Sequence, residues 1–516
     1  MTSIVKKKTG YQNAKLWRDS QQTTSNTDPV LYIFVGNHIA YANEASPDSI
    51  VDTVAEEKST WDNMFAAKKL TGGDLELVVP RVNWTANNIY QQYDDIVDAN
   101  TQVQANTTAG VQPMYVITTD RNVYKCISNN TSANSTVEPT GDYTSSNGNI
   151  ATADGYLWKY MYNVKPSNKF LTSDWIPVPT TTTQLDYGMN DTGVVDGELQ
   201  TIVVTTAGSG YYNSIVTVDA FATGCTILTL ANTTNVAANM SVTGTGVFAD
   251  SYISSVDTPN NKITLSTAVT ANGGGSGNNI TISTRVYIDG DGTGAVASAG
   301  LSSGNVANVT ITTIGTGYSR ANAYIYGSGT GANTRVILSP KYGHAFNPAR
   351  DLATTNVMCA TRLGEIDTTE GGLISSNTSF RQYGLLINPH KYSNTSAVTH
   401  STANSVIKQA TVVSLIAGST YTLNEYVYQG TSPTNATFYG YLNYQESNTV
   451  WLTKVKGTFT SGLSLIGQTS GVSRTAIAKT NPEFQPYSGD VIYTENAVKT
   501  DRTEGQAENI KLVIKF

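Results

Sequence analysis

Carboxylates set close together are the groups in this chain best able to do chemistry, because two of them can divide the work of proton donor and of nucleophile or base at a glycosidic bond. Glu365, Asp367 and Glu370 are the candidates. They sit in TRLGEIDTTEGG, whose turn-like polar texture reads more simply as a solvated loop. Asp289, Asp291, Thr293 and Gly294 resemble the opening of a calcium loop, but the twelfth position from Asp289 is Gly300 and not a bidentate Glu, so a plain turn is expected. His38, His344, His390 and His400 are scattered and lack the i, i+4 or i, i+2 spacing that would aim two imidazoles at one metal ion. There is no Gly-Lys dipeptide to open a phosphate-binding loop, and the run Gly290 to Gly294 lacks the spacing of a dinucleotide fingerprint. Serines are too abundant for one to stand out as a nucleophile. No catalytic, cofactor-binding or metal-ligating residue is assigned, and an enzyme is not expected.

The elements that must carry these residues follow from composition. Only 14% of the 516 residues are charged and 39% are hydrophobic, while 44 are Gly, in a chain rich in Thr, Asn and Ser. Thr and Tyr favour strands, and Gly and Asn supply the positive φ of tight turns, so a mainly β protein with a few short helices is expected. The length corresponds to about three domains, or one large β domain with insertions. A net charge of −7 argues against a nucleic-acid coat. No window approaches the ~18 apolar residues of a membrane span, and Lys6, Lys7 and Lys8 have no apolar run behind them, so neither a span nor a signal peptide is expected. Cys126, Cys225 and Cys359 form no CxxC pair, which fits a reducing compartment.

Along the chain, a helix is predicted from about Ser49 to Leu70, stopped by Gly72 and Gly73. Strands are predicted at LELVVP, MYVITTD, NVYKCIS, YLWKYMYNV and WIPV. After Gly193 the texture turns to Thr, Gly, Ala and Asn with little charge. Within it, Asp196 to Val218 resembles Ser303 to Ile325 at an offset of 107 residues, which predicts duplicated β-hairpins turning at GSGY and GTGY. From Pro340 the earlier mixture returns, with a short helix feeding a strand in Phe346 to Leu363 and another strand in FRQYGLLINP. Five short strands between Ile407 and Lys479 predict a small β-barrel or sandwich. The terminal NIKLVIKF alternates as a half-buried strand, with Ile510, Leu512, Ile514 and Phe516 on one side.

Outside the two stretches of different texture, an ordered set of motifs resembles the baseplate wedge subunit eight family of large contractile-tailed, myovirus-type bacteriophages. These are SPDSIVDTVAEEKSTWDNM, VVPRVNW, VYKCISN, VEPTGD, DGYLWKYMYNV, WIPVP, FRQYGLLINP and SGDVIYTENAVKTDRTEGQAENIKLVIKF. In the last block the matching positions are Ser488, Gly489, Ile492, Tyr493, Glu495, Asn496 and Ile510 to Phe516. The resemblance implies a layered β-sandwich core with helix-bearing loops, built from residues 1–191, 340–406 and 480–516. It leaves 192–339 as an inserted β-rich domain and 407–479 as a small inserted barrel or sandwich.

It further implies a structural homodimer that joins other baseplate wedge proteins around the tail hub, in a virion assembled in the host cytoplasm. No cofactor, small-molecule substrate, nucleic acid or membrane span belongs to that expectation. The alternative is a tail-associated glycan-binding protein or polysaccharide depolymerase that acts through the inserted β domains.

Overall fold

Short runs of β-branched and aromatic residues, punctuated by Gly and Asn, become antiparallel strands with few and short helices between them. The fold is mainly β, as composition required. A computed structural model describes residues 8–21, 29–105, 109–144, 148–180, 194–275, 277–364, 378–393, 406–503 and 505–516. Two compact units divide the chain, one formed by Met1–Val78 with Thr355–Phe516 and the other by Val79–Thr354. Residues 79–191, expected with the core, therefore fall in the same unit as the expected insertion 192–339.

The first unit is built on a five-stranded sheet in the order Val406–Lys408, Met64–Lys69, Leu31–Gly36, Ser379–Ile387, Asp490–Asp501. Tyr32, Phe34, Trp61, Met64, Leu386, Ile407 and Phe484 form one core against it. Phe34 can lie against Ser379–Ile387 because position 384 is Gly, where a Cβ would collide with its ring and with the Tyr493 carbonyl. The terminal strand Ala507–Lys515 pairs with Asn356–Gly364, which in turn pairs with Leu75–Pro80. Ile510 and Leu512 are buried there, Ile514 is half-buried and Phe516 is 36% exposed, so the apolar side of the strand fades toward its end.

The helix expected over Ser49 to Leu70 is only Val54–Asn63, started by Thr53, whose hydroxyl accepts from Glu56 N at 3.2 Å. Met64–Lys69 is a strand, since its backbone pairs with Leu31–Gly36 and this outweighs the helical spacing of Met64 and Phe65. An unpredicted helix, Lys8–Ser20, buries Tyr11, Ala14 and Arg18, and the Arg18 guanidinium donates to Glu76 at 3.0 Å.

Within the same unit, six strands close a barrel in the order Thr411–Leu415, Thr449–Gly457, Ala436–Glu446, Tyr426–Gly430, Ser464–Gly467, Ser473–Thr480. Thr411–Leu415 is the strand missing from the sequence reading. Val413, Val427, Phe438, Leu442, Val450, Leu452 and Leu465 fill the interior. Ile407 belongs to the sheet core, so the barrel proper starts beyond it. The chain enters and leaves through a clamp in which Gln409 donates to the Phe484 carbonyl (3.3 Å) and accepts from Phe484 N (3.0 Å).

The second unit contains a four-stranded sheet, ordered Tyr115–Ile117, Asn122–Ser128, Leu157–Asn163, Asn149–Ala151, and a six-stranded one. The latter runs Ala321–Tyr326, Arg285–Gly290, Thr293–Ser302, Asn305–Thr316, Leu199–Ser209, Thr330–Leu338. Its duplicated segments are not hairpins. Leu199–Ser209 and Asn305–Thr316 instead pair with each other, with the equivalent residues Ile202 and Val309 directly opposite. The exchange is reciprocal, since Tyr211 N donates to the Gly304 carbonyl (2.9 Å) and Tyr318 N to that of Gly197 (3.1 Å).

A second repeat, YIDGDGTGA against YIYGSGTGA at an offset of 37 residues, follows the same local twofold, because Tyr287 lies opposite Tyr324. The duplicated element is thus three strands. Its first copy is interrupted by a module of two three-stranded sheets whose core includes Val216, Leu228, Met240, Ile253, Ile263 and Ile282.

Replacing Leu512 by Ala removes a buried side chain from the terminal strand and should cost about 2–5 kcal/mol. Phe516→Ala, at the frayed end, should cost less than ~1 kcal/mol. Urea unfolding of both variants measures the difference, and equal losses would contradict the burial gradient.

Candidate functional site

A concentration of buried ionisable groups lies in the second unit, on one face of its four-stranded sheet. Lys125 and Lys159 are directly opposite on adjacent strands, and both are 1% exposed. They share their face with Ile127 and Leu157, while Tyr124, Cys126, Trp158 and Tyr160 pack on the other. The Lys125 ammonium sits 3.8 Å from the centre of the Tyr93 ring and 3.2 Å from His344 Nδ1. Burial, chiefly, lowers the Lys125 pKa to about 8 and holds the His344 pKa well below its ordinary value, so this imidazole is neutral at pH 7.

Lys159 Nζ lies 3.4 Å from Glu198 Oε1, and Gln200 Nε2 donates to the same oxygen. Glu198 is fully buried, and its Oε2 has no hydrogen-bond partner among the described residues. Burial raises the Glu198 pKa and lowers that of Lys159, each against the attraction of the other. Desolvation therefore shifts both groups toward their uncharged forms while their mutual attraction opposes it.

His38 marks a different kind of site, the seat of the barrel in the first unit. Its Nδ1 donates to Asn424 Oδ1 and its Nε2 accepts from the Thr453 hydroxyl, both at 2.6 Å, so one neutral tautomer satisfies both contacts. Desolvation, with the charges of Lys454 and Arg381, brings the His38 pKa down to about 4 despite the Asn424 bond. Nearby, Asp62 on the Val54–Asn63 helix accepts from Lys456 of the barrel (3.0 Å) and from the Tyr487 hydroxyl (2.5 Å).

Two clusters of tyrosine lie on sheets, one with Tyr287 and Tyr324 exposed, the other with Tyr426, Tyr439 and Tyr441 half-buried and Tyr428 buried. Tyr287, Tyr324 and Tyr326 lie within 6.3–6.5 Å of one another on the duplicated sheet, and the Arg285 guanidinium covers Tyr252 and Tyr287 at 4.3 and 5.1 Å. On the barrel, Tyr426 contacts Tyr428, Tyr439 and Tyr441 at 5.3–6.0 Å. Rings held flat on a rigid sheet offer large contact area at little conformational cost, the property of interface and sugar-stacking residues.

The residues singled out from sequence fare unevenly. Glu365, Asp367, Glu370 and His400 lie outside the described residues. Asp291 uses its carboxylate on the turn itself, accepting from Ser319 N (2.9 Å), the Ser319 hydroxyl (2.5 Å) and Arg320 N (3.1 Å), and these bonds hold its pKa down to about 2. His390 gives its backbone N–H to the Ser488 hydroxyl at 2.9 Å. The described residues bring no three His, Cys, Asp or Glu into a metal-holding group. Cys126 and Cys359 are buried thiols whose pKa burial raises, the opposite of activation.

Gly300 to Gly304, GLSSG, has the spacing of a nucleophile elbow, but it joins Thr293–Ser302 to Asn305–Thr316 as a strand-to-strand turn and opens no helix. Sequence reasoning missed the Lys125, Lys159 and Glu198 cluster. A lysine in the middle of each of two aromatic strands, NVYKCIS and LWKYMYN, was the available signal. No helix among the described residues is long and apolar enough to cross a membrane. No family model matches the chain, and no curated protein matches it.

The His38 geometry carries a pH prediction. Its pKa is depressed in the fold, so between about 6.5 and about 4 the unfolded chain binds more protons and stability falls as pH falls. The loss reaches about 3 kcal/mol below that window. Denaturant titrations of the parent and of His38→Gln across pH 4–7 measure it, and an equally steep decline in both would remove His38 as its cause.

Proposed function

We propose that the chain is a structural component of a phage tail baseplate wedge, a homodimer that assembles with neighbouring wedge proteins around the tail hub. The observation that supports this reading most is the spatial convergence of the resembling motifs. FRQYGLLINP and SGDVIYTEN are separated by about a hundred residues of sequence, yet they pair strand to strand, Gln382 with Asn496, Tyr383 with Glu495 and Gly384 with Thr494. VYKCISN and YLWKYMYN likewise pair, Cys126 opposite Trp158. The last strand of the terminal block, Ala507–Lys515, pairs with Asn356–Gly364, which is not itself one of these motifs. Each of these motif pairs belongs to one sheet, and the intervening stretches of different texture have cores of their own, although Val203 and Ile337 also pack with Tyr93, Met114, Ile127 and Leu157 within the second unit.

Assembly inside a host cytoplasm and residence in the virion belong to the same reading, and three free cysteines, two of them buried, are compatible with it. No catalytic role, cofactor, nucleic acid or small-molecule substrate enters the proposal. The exposed Tyr287 and Tyr324 of the larger inserted module suit contacts with neighbouring proteins. They also favour a second reading, glycan binding by the inserted β domains, in which Tyr287 and Tyr324 would stack on sugar rings.

Light scattering coupled to size exclusion should give twice the monomer mass, and co-expression with neighbouring wedge proteins should yield a complex that co-purifies. A monomer at all concentrations, with no complex, overturns the wedge reading. Tyr287→Ala combined with Tyr324→Ala should leave host envelope polysaccharide binding at background, as in the parent. Saturable binding in the parent that this double variant abolishes would favour the glycan reading instead.

A further inference from the structure

The buried triad of Lys159, Glu198 and Gln200 has the parts needed to build a covalent bond within the chain. An amine becomes a nucleophile only when it is uncharged, and an amide becomes an electrophile only when a neighbouring acid can protonate the departing nitrogen. Both conditions converge on one oxygen. Lys159 Nζ is 3.4 Å from Glu198 Oε1, and Gln200 Nε2 donates to that same atom, so a single carboxyl group touches both the nitrogen that would attack and the nitrogen that would leave.

We propose that Lys159 and Gln200 join in an intramolecular isopeptide bond, with Glu198 as the proton relay. Lys159 Nζ attacks Gln200 Cδ. Glu198 takes a proton from Nζ and delivers one to Nε2, the Cδ–Nε2 bond breaks, and ammonia leaves as the Nζ–Cδ amide forms. One amine and one primary amide become one secondary amide and ammonia, with no change of oxidation state and no external reagent.

The surroundings favour the step. Lys159, Glu198 and Gln200 are all buried, so water competes poorly with the amine. Burial raises the pKa of Glu198, and its Oε2, without a hydrogen-bond partner among the described residues, can carry the proton in transit. The bond would tie Leu157–Asn163 of the four-stranded sheet to Leu199–Ser209 of the duplicated sheet, both within the second unit. A tie of that kind raises resistance to unfolding by restricting the unfolded chain, as a disulfide does, without needing an oxidising compartment.

The test uses the full chain, denatured and digested, with tandem mass spectrometry. The expected result is a branched peptide joining the segment that contains Lys159 to the one that contains Gln200, lighter than their sum by about 17 Da, the mass of ammonia. Glu198→Gln, with its fold checked by circular dichroism, should leave the two segments unlinked, and Lys159→Arg should do the same. Two separate peptides at full mass from the folded parent overturn the proposal. So does a branched peptide lighter by about 18 Da whose bond maps to Glu198, which would make that residue the acyl partner and not the relay. A Glu198→Gln protein that still cross-links overturns the relay.

Discussion

Antiparallel pairing between strands far apart in sequence is the constraint on which the arrangement depends, because each large excursion of the chain leaves and returns through hydrogen-bonded neighbours. Val78 lies opposite Asn356, so the whole of Val79–Thr354 departs and re-enters across the width of one strand pair. The barrel is gripped by Gln409 and Phe484 through two side-chain to backbone bonds. The small module inside the duplicated sheet starts and ends where Ser214 faces Ile282. Closure entropy grows only logarithmically with loop length, about 0.6 kcal/mol for each doubling, so ends held together at the root make the size of the excursion nearly irrelevant to the host sheet. That is how one chain can carry modules of such different texture.

Duplication solves a related problem within the second unit. A long strand with an apolar side and little charge is a pairing hazard unless a partner of matching length is supplied. Here the sequence supplies its own, as Leu199–Ser209 and Asn305–Thr316 meet about a local twofold, and Tyr211 and Tyr318 each reach across to the backbone of the other copy. The glycines at 197 and 304 are required by this approach. Both have positive φ, and a Cβ at 197 would collide with the Tyr318 backbone while one at 304 would crowd the Tyr212 ring.

A chain with few charges nonetheless buries several of them. Arg18 reaches Glu76, Arg381 reaches Glu44 and the His38 carbonyl, Arg502 pairs with Glu508, and Lys159 meets Glu198. Such groups add little net stability, since desolvation offsets most of the attraction, but a wrong register would strand them without partners. Buried charge therefore helps to select one pairing among many that similar Thr-rich strands could adopt. The same desolvation changes the chemistry of the groups it surrounds, moving Lys159 and Glu198 toward their neutral forms and keeping His38 uncharged.

Much of the fold was legible in the residues. Alternation located Ala507–Lys515, Ser379–Ile387 and Leu157–Asn163, turn residues marked most barrel strands, and the offset of 107 residues revealed a duplication. Where local and non-local demands conflicted, the reading failed, as at Met64–Lys69, where helical spacing yielded to pairing with Leu31–Gly36. The candidate site was hardly legible, because Lys125, Lys159, Glu198 and His344 come from four separated segments and none carries a spaced motif. Sequence by itself determined that the protein is β-rich, modular, duplicated and sparsely charged, since propensity, texture and self-similarity are local or repetitive properties. Only the tertiary structure decided which strand lies beside which, that the repeats pair with each other, and that Lys159 meets Glu198 in the core. Alternation of side chains says which face of a strand is buried but carries no label for its partner, and partnership across hundreds of residues is fixed by the packing of the whole.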